Sequence, residues 1–244
     1  MRVLVTRPEP DASEQARKLA GLGICALIEP LLKIEFLEPQ NLSAAQLGAA
    51  QGLIATSRNA LRALEQLPAF EAARAQPLLA VGMATAGLAG DMGFSQVHEG
   101  PGRAEDLVHV AREAFDPGSG RLIHLAGKDL AFDLKGALEA EGYEIDAAVL
   151  YRAHPREELS GSLMSAIELE TLDGVILMSP RTAKTYLRLI AAAGLDEAAA
   201  RYAHFCLSQA VADAAAGLAH ARYLVANRPR EDDLLALVAE QASD

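Results

Sequence analysis

Four short segments of this chain place small polar residues or glycine where an apolar run gives way to a helical pattern. They are Thr56-Ser57-Arg58-Asn59, Val81-Gly82-Met83-Ala84-Thr85, Ala126-Gly127-Lys128 and Ser179-Pro180-Arg181. Segments of this kind expose main-chain N–H groups at the start of a helix, and their fixed partial charge attracts anions. Glycine at 82 and 127 lets another group approach the backbone closely. Ser57 and Ser179 are equally good N-caps, Pro180 suits the first helical position, and both glycines fit tight turns. Capping and turning therefore stand beside ligand binding as explanations. Arg7 follows the first apolar run, either as a clamp for a carboxylate or as an exposed loop charge. Asp11 and Glu14 have the spacing of a helix start rather than of a catalytic carboxylate pair.

Other chemical templates fail. Gly21-Leu-Gly23 and Gly100-Pro-Gly102 lack the third glycine of a dinucleotide fingerprint. Gly127-Lys128 is followed by Asp129, and position 122 is leucine, so there is no phosphate-binding Walker loop. The 6 histidines form no His-Glu-x-x-His pattern, and Gly-x-Ser-x-Gly is absent. Cys25 and Cys206 are far apart, with no ligand spacing, and read as buried small hydrophobes in a reducing compartment. No metal site is expected. Asn41-Leu-Ser43 is a formal glycosylation sequon, without consequence in the cytoplasm, where the protein is expected.

The composition suits a globular protein of one large or two small domains: 244 residues, 51% hydrophobic and 23% charged. Lys and Arg total 22 against 33 Asp and Glu, a formal charge of −11, which argues against nucleic acid as a partner. The same charge means that any anionic ligand must be held by local arrangements. The apolar run near the N-terminus is too short for a signal peptide, and the run at 77–90 carries three glycines and is too short for a bilayer. No membrane association is expected.

The elements that must position these segments alternate along the chain. Strand patterns occupy 3–6, 25–28, 53–55, 78–81, 122–125, 145–150, 175–178, 204–207 and 223–226. Helical patterns include 11–22, 59–67, 104–115, 131–141, 182–193 and 230–240. Such alternation predicts parallel sheets with helices on both faces, and ligands at the carboxyl ends of the strands. The chain also resembles itself. A shift of 119 lays Arg2-Val-Leu-Val over Arg121-Leu-Ile-His, a shift of 122 lays Gly52–Ser57 over Gly174–Ser179, and a shift of 126 lays Ala80-Val-Gly82 over Cys206-Leu-Ser208. The ordered progression predicts two similar α/β lobes. Proline ends two extended stretches, 34–39 and 151–155, which read as connectors that leave a first domain and return to it.

Several segments together resemble the uroporphyrinogen-III synthase family. They are Val-Thr6-Arg7-Pro8, Gly52-Leu-Ile-Ala-Thr-Ser57-Arg-Asn59-Ala, Ala80-Val-Gly82-Met-Ala-Thr85-Ala, Leu150-Tyr151-Arg152, Ser179-Pro180-Arg181-Thr-Ala and Ala226-Asn-Arg-Pro229-Arg-Glu-Asp-Asp-Leu. The set runs in order over nearly the whole chain. The resemblance implies two similar parallel-sheet α/β domains joined by a two-stranded linker, with an interdomain cleft. Its boundaries here are 1–33 plus 157–244 for the first domain, 40–150 for the second, and 34–39 and 151–156 for the linkers. In many members a threonine-bearing loop occupies the place of Leu207-Ser208-Gln209-Ala210-Val211, so those hydroxyl contacts do not carry over; Ser208 is the neighbouring hydroxyl that remains.

The implied reaction converts hydroxymethylbilane to uroporphyrinogen III, with inversion of ring D and loss of water, and needs no cofactor. The substrate carries eight carboxylates and cyclises unaided to the wrong isomer, so the enzyme supplies geometry above all. The resemblance implies that Arg7, Ser57, Asn59, Gly82, Thr85, Gly127, Lys128, Ser179, Arg181 and Ser208 hold the acetate and propionate groups. It implies that Tyr151 faces the cleft and assists departure of the hydroxyl, since a phenol stays protonated at neutral pH and can donate a hydrogen bond; a linker aromatic packing between domains is the alternative. A monomer is expected, in transient contact with hydroxymethylbilane synthase. From another functional class, a two-lobed binder of a small anion would use the same segments without reaction. A receiver-like domain is disfavoured by the duplication and by the lack of an acidic pair after the first strand.

Overall fold

The computed structural model describes residues 1–39 and 42–243. Asn41, the first residue of the sequon, lies outside the described residues. In chain order the strands are β1 (Arg2–Val5), β2 (Cys25–Ile28), β3 (Leu32–Phe36), β4 (Gly52–Ala55), β5 (Leu78–Ala80), β6 (Val97–Glu99), β7 (Arg121–Gly127), β8 (Glu144–Pro155), β9 (Gly174–Leu177), β10 (Ala203–Cys206) and β11 (Arg222–Val225). The helices are α1 (Asp11–Gly21), α2 (Ala44–Gly48), α3 (Arg58–Glu65), α4 (Phe70–Arg74), α5 (Met83–Asp91), α6 (Leu107–Ala114), α7 (Leu134–Ala140), α8 (Gly161–Glu168), α9 (Pro180–Ala193), α10 (Asp196–Ala199), α11 (Gln209–Ala215) and α12 (Glu231–Ser243). Among the described residues no helix is long and apolar enough to cross a membrane.

The chain divides into two units, Met1–Lys33 with His154–Asp244, and Ile34–Ala153. The first holds a five-stranded sheet in the order β11-β10-β9-β1-β2, in which neighbouring strands run parallel. The second holds a six-stranded sheet in the order β3-β8-β7-β4-β5-β6. Its pairs from β8 to β6 are parallel. The stretches expected as connectors are extended, the first beginning in β3 and the second forming the end of β8. Leu37 N–H donates to Leu150 O and Arg156 N–H donates to Leu31 O, which sets β3 antiparallel to β8.

The two sheets are related by the internal repeat, with the halves exchanged. Val3 pairs with Gly174 as Leu122 pairs with Gly52, which are the same positions under shifts of 119 and 122. Arg2 pairs with Cys25 as Arg121 pairs with Glu144. Ala55 pairs with Ala80 as Leu177 pairs with Cys206, the match at shift 126. Each half therefore gives its first two strands to one sheet and its last three to the other, and β3 of the first half joins the six-stranded sheet. The duplicated segments are not the two units themselves.

Alternation along the strands builds a core on both faces of each sheet, the pattern of a doubly wound parallel sheet. In the first unit Val3, Val5, Ile176 and Phe205 pack with Leu19, Leu234 and Val238 of α1 and α12. Leu4, Val175, Leu177 and Cys206 face the other way, against Leu163, Tyr186, Leu189 and Val211 of α8, α9 and α11. In the second unit Leu53, Ala55, Leu78 and Leu125 meet Leu47, Leu61 and Leu64. Ile54, Leu79 and Leu122 meet Leu107, Leu134 and Leu138. Cys206 is buried as expected, whereas Cys25 is exposed on β2, an edge strand with only β1 as its neighbour.

Two repeat-related glycines mark where packing leaves no room for a side chain. A Cβ on Gly52 would overlap the Phe115 ring, and one on Gly174 would overlap the Phe205 ring. Gly87, inside α5, has nothing within 4 Å of such a carbon. Gly174→Ala should lower stability by about 1–3 kcal/mol through overpacking. Gly87→Ala should raise it by about 0.5–1 kcal/mol by removing backbone freedom from the unfolded chain. Urea denaturation of the two variants reads the opposite signs.

Candidate active site

Because all strands but β3 run parallel within their sheet, their carboxyl ends fall on one edge, and the candidate residues lie there. In the first unit these are Arg7 after β1, Ser179 and Arg181 after β9, and Ser208 after β10. In the second they are Ser57 and Asn59 after β4, Gly82 and Thr85 after β5, Gly127 and Lys128 at the end of β7, and Tyr151 in β8. The repeat sets Ser57 against Ser179 and Gly82 against Ser208.

The two serines of the first repeat pair are N-caps. Ser57 Oγ accepts from Asn59 N at 3.2 Å and Ser179 Oγ from Thr182 N at 3.2 Å. Each thereby satisfies one first-turn donor and leaves the rest of the turn to other partners. Pro180 at the start of α9 has no N–H to satisfy. Asn59 Oδ1 accepts from Arg62 Nη1 at 3.3 Å. Arg181 is half-buried, and its carbonyl accepts from Thr185 Oγ1 at 3.0 Å.

The second pair differs, because no side chain caps α5 or α11. Ser208 sits at the N-cap position in an extended conformation with its hydroxyl unused for capping. Gly82 is extended rather than left-handed, with φ 179° and ψ 179°. Its lack of a side chain is required by the neighbouring loop: a Cβ would lie 3.1 Å from Gly102 Cα and 3.5 Å from Gly100 O. Gly102 N–H holds that loop in place by donating to Val81 O at 2.7 Å. Thr85 is only 5% exposed. What this corner offers is main chain.

Arg7 is already engaged. Its guanidinium donates to Glu231 Oε1 at 2.6 Å and to Asp11 Oδ2 at 3.3 Å, and the side chain is 13% exposed. Glu231 also accepts from Gln15 Nε2 at 3.0 Å and Lys18 Nζ at 2.6 Å. Burial works against the Lys18 charge, but the Glu231 hydrogen bond and charge, helped by Glu14 and Asp232, raise its pKa. A substrate carboxylate at Arg7 has to displace or share this anion. Asp11 is the first residue of α1, after Pro10 at the N-cap position, and pairs with Arg7.

Tyr151 is half-buried, with its ring against Gly127, and Lys128 N–H donates to Tyr151 O at 2.8 Å. The Lys128 side chain is exposed. Beside this corner His124 is 1% exposed, with Nε2 3.3 Å from Thr56 Oγ1, and burial lowers its pKa to about 4. Among the described residues no group of three or more His, Cys, Asp or Glu is placed to hold a metal ion.

The amino edge of the first sheet carries a cavity of about 470 Å³ lined by Asp173, Arg201, Tyr202 and Arg222 among others. Its size does not make it the active site. Arg201 pairs with Glu170, Asp173 accepts from Arg2 N–H, and the strand-end amides lie at the opposite edge.

Two α/β sheets of mainly parallel strands, each with helices on both faces, define a doubly wound α/β protein with serine or glycine at the corners of its carboxyl edges. A family model described as uroporphyrinogen-III synthase HemD matches residues 13–236. Among solved structures, uroporphyrinogen-III synthetase from Helicobacter pylori is similar with a TM-score of 0.63 at 19% identity, over 99% of this chain and 100% of that one. A mutant uroporphyrinogen III synthase from the extremely thermophilic bacterium Thermus thermophilus is similar with a TM-score of 0.62 at 19% identity, over 100% and 98%. At that identity the structures speak for the fold, and the family model carries the assignment. The chain belongs to the uroporphyrinogen-III synthase family, and its activity is that of a cyclising hydro-lyase in tetrapyrrole biosynthesis.

Away from the corners lies an aromatic cluster that the sequence did not signal. His204 is fully buried, with Tyr202 stacked at 5.4 Å and Tyr186 and Tyr223 at 5.8 and 5.2 Å. Neither imidazole nitrogen makes a well-formed hydrogen bond. Burial lowers its pKa to about 4, slightly offset by the Tyr202 backbone. Burial also pushes the Tyr202 phenol up to about 12. Because the folded pKa lies below the unfolded value of about 6.5, the unfolded chain binds the extra proton. Stability is therefore full above about pH 6.5 and falls as pH drops toward 4. His204→Phe should flatten that limb by about 1.4 kcal/mol per pH unit, read as unfolding free energy against pH.

Proposed function

We propose that the main-chain corners at the two carboxyl edges hold the carboxylates of hydroxymethylbilane while the Tyr151 phenol assists loss of its hydroxyl group. The observation that carries this reading is the parallel pairing. It brings Ser57, Asn59, Gly82, Gly127, Lys128 and Tyr151 to one edge of a single sheet, and Arg7, Ser179, Arg181 and Ser208 to the equivalent edge of the other. Main-chain N–H groups at helix starts attract anions whatever the side-chain composition, which suits a chain of charge −11. Arg181 and Lys128 add positive charge beside two of the corners, and Arg7 adds it by exchanging Glu231 for a substrate carboxylate.

In the reaction, the phenol gives its proton to the departing hydroxyl, which leaves as water; the terminal pyrrole N–H loses its proton to the phenolate, which regenerates the phenol and leaves a neutral azafulvene. The substituted carbon of ring D attacks that electrophile to give a spiro intermediate. This fragments and recloses with ring D reversed. The carboxylate contacts decide the outcome, because the unassisted substrate closes to isomer I and only restraint of both ends directs attack to the substituted carbon. One chain carries both edges, which supports a monomer. The same reading puts the enzyme in the cytoplasm, in passing contact with the synthase that supplies its unstable substrate.

Freshly made hydroxymethylbilane should yield uroporphyrinogen III with this protein; isomer I alone, as in a protein-free control, would refute the reading. Tyr151→Phe should lower kcat by about 10- to 100-fold, the range of a lost proton donor, and leave product affinity nearly unchanged. Equal turnover in the two proteins would remove Tyr151 from the mechanism.

A further inference from the structure

We infer that Gly127 and the β-bulge beside it are positioning devices that aim the Tyr151 phenol. The inference rests on the reading of Tyr151 given above. From Arg121 with Glu144 to Ala126 with Val149, β7 and β8 advance one residue against one residue. The next pair is Gly127 with Tyr151, so Leu150 is an extra residue on β8. Side chains on neighbouring strands in register share a face, and successive ones alternate. A regular continuation would set Leu150 beside Gly127 and turn Tyr151 to the other face. Bulges re-aim a side chain in this way. Leu150 is fully buried in the core of the second unit, and Tyr151 lies across Gly127.

The glycine completes the arrangement. A Cβ at position 127 would lie 2.6 Å from Tyr151 Cζ, 2.8 Å from its Oη and 3.0 Å from its Cε1. These are the three nearest atoms, and all belong to one side chain. Gly127 is not among the glycines of positive φ, so its backbone is open to other residues and the requirement is steric. The phenol oxygen is itself one of the crowded atoms. Any side chain at 127 must therefore move the hydroxyl and not only the edge of the ring. Lys128 N–H, bonded to Tyr151 O at 2.8 Å, holds the backbone so that the ring has to absorb the displacement.

The test compares Gly127→Ala, Tyr151→Phe and the double variant on freshly made hydroxymethylbilane. Gly127→Ala should lower kcat by about tenfold or more while KM stays within about twofold, as expected when a reacting group is misplaced rather than binding lost. The double variant should be no slower than Tyr151→Phe, since no hydroxyl remains to be misplaced. Among the 5 tyrosine ring resonances, the one missing in Tyr151→Phe should shift in Gly127→Ala.

Wild-type turnover in Gly127→Ala, a multiplicative loss in the double variant, or an unmoved Tyr151 resonance would each overturn the positioning role. Wild-type turnover in Tyr151→Phe would instead defeat the phenol's role in catalysis, and the positioning role with it, whether or not the resonance moved. Should Gly127→Ala fail to fold, Gly127→Ala/Tyr151→Ala should fold as well as Tyr151→Ala. If it does not, the added carbon meets something other than the ring, and the inference falls.

Discussion

Parallel strand pairing is the constraint on which the rest of this structure depends. Where every strand of a sheet points the same way, every strand-to-helix corner opens on the same edge. Both cores follow from it as well, because parallel strands covered by helices on two faces must be apolar on both. The repeat keeps the constraint intact in each sheet: β1 meets β9 in the same register as β7 meets β4. A chain whose halves exchange their first two strands still delivers a capped serine corner and an uncapped corner to each edge in the same order.

That order is what the proposed grip of an acid-rich chain on a polyanion uses. The two serine corners are stiffened by caps, while the starts of α5 and α11 carry no side-chain cap. Side-chain cations contribute less freely than their proximity suggests, because Arg7 is tied to Glu231, which also anchors Gln15 and Lys18 and joins α1 to α12. The pair keeps Arg7 oriented and its charge compensated. Tyr151 is set differently, by a register slip and a missing Cβ, so its place depends on main-chain geometry as the anion corners do.

Much of the fold was legible in the sequence because buried parallel strands are short apolar runs between helical patterns. Nine strands lie within a few residues of their expected places. The exceptions are instructive. Val97–Glu99 is three residues with two polar side chains, and Leu32–Phe36 alternates like a solvated connector, so neither has the signal of a core strand. Helices α2, α4 and α10 are one turn or little more, too short to show a period. The self-similarity showed which segments are equivalent but not which pair: beside β2, β1 could have taken β4 of its own half as its second neighbour, and only tertiary packing decides for β9. The corners were legible as places. The burial of Thr85, the partner of Arg7 224 residues away and the bulge before Tyr151 were not, because each is decided by neighbours distant in sequence or by register.

The central claim is that main-chain amides at the carboxyl edges, rather than clustered cations, grip the tetrapyrrole. Amide chemical shifts of ¹⁵N-labelled protein, followed while anaerobic uroporphyrinogen III is added, test it most directly. The account predicts the largest shifts at Ala84, Arg181 and Gln209, with the amino-edge residues Asp173 and Arg222 unmoved. Shifts concentrated at that amino edge, or none at the helix starts, would contradict it.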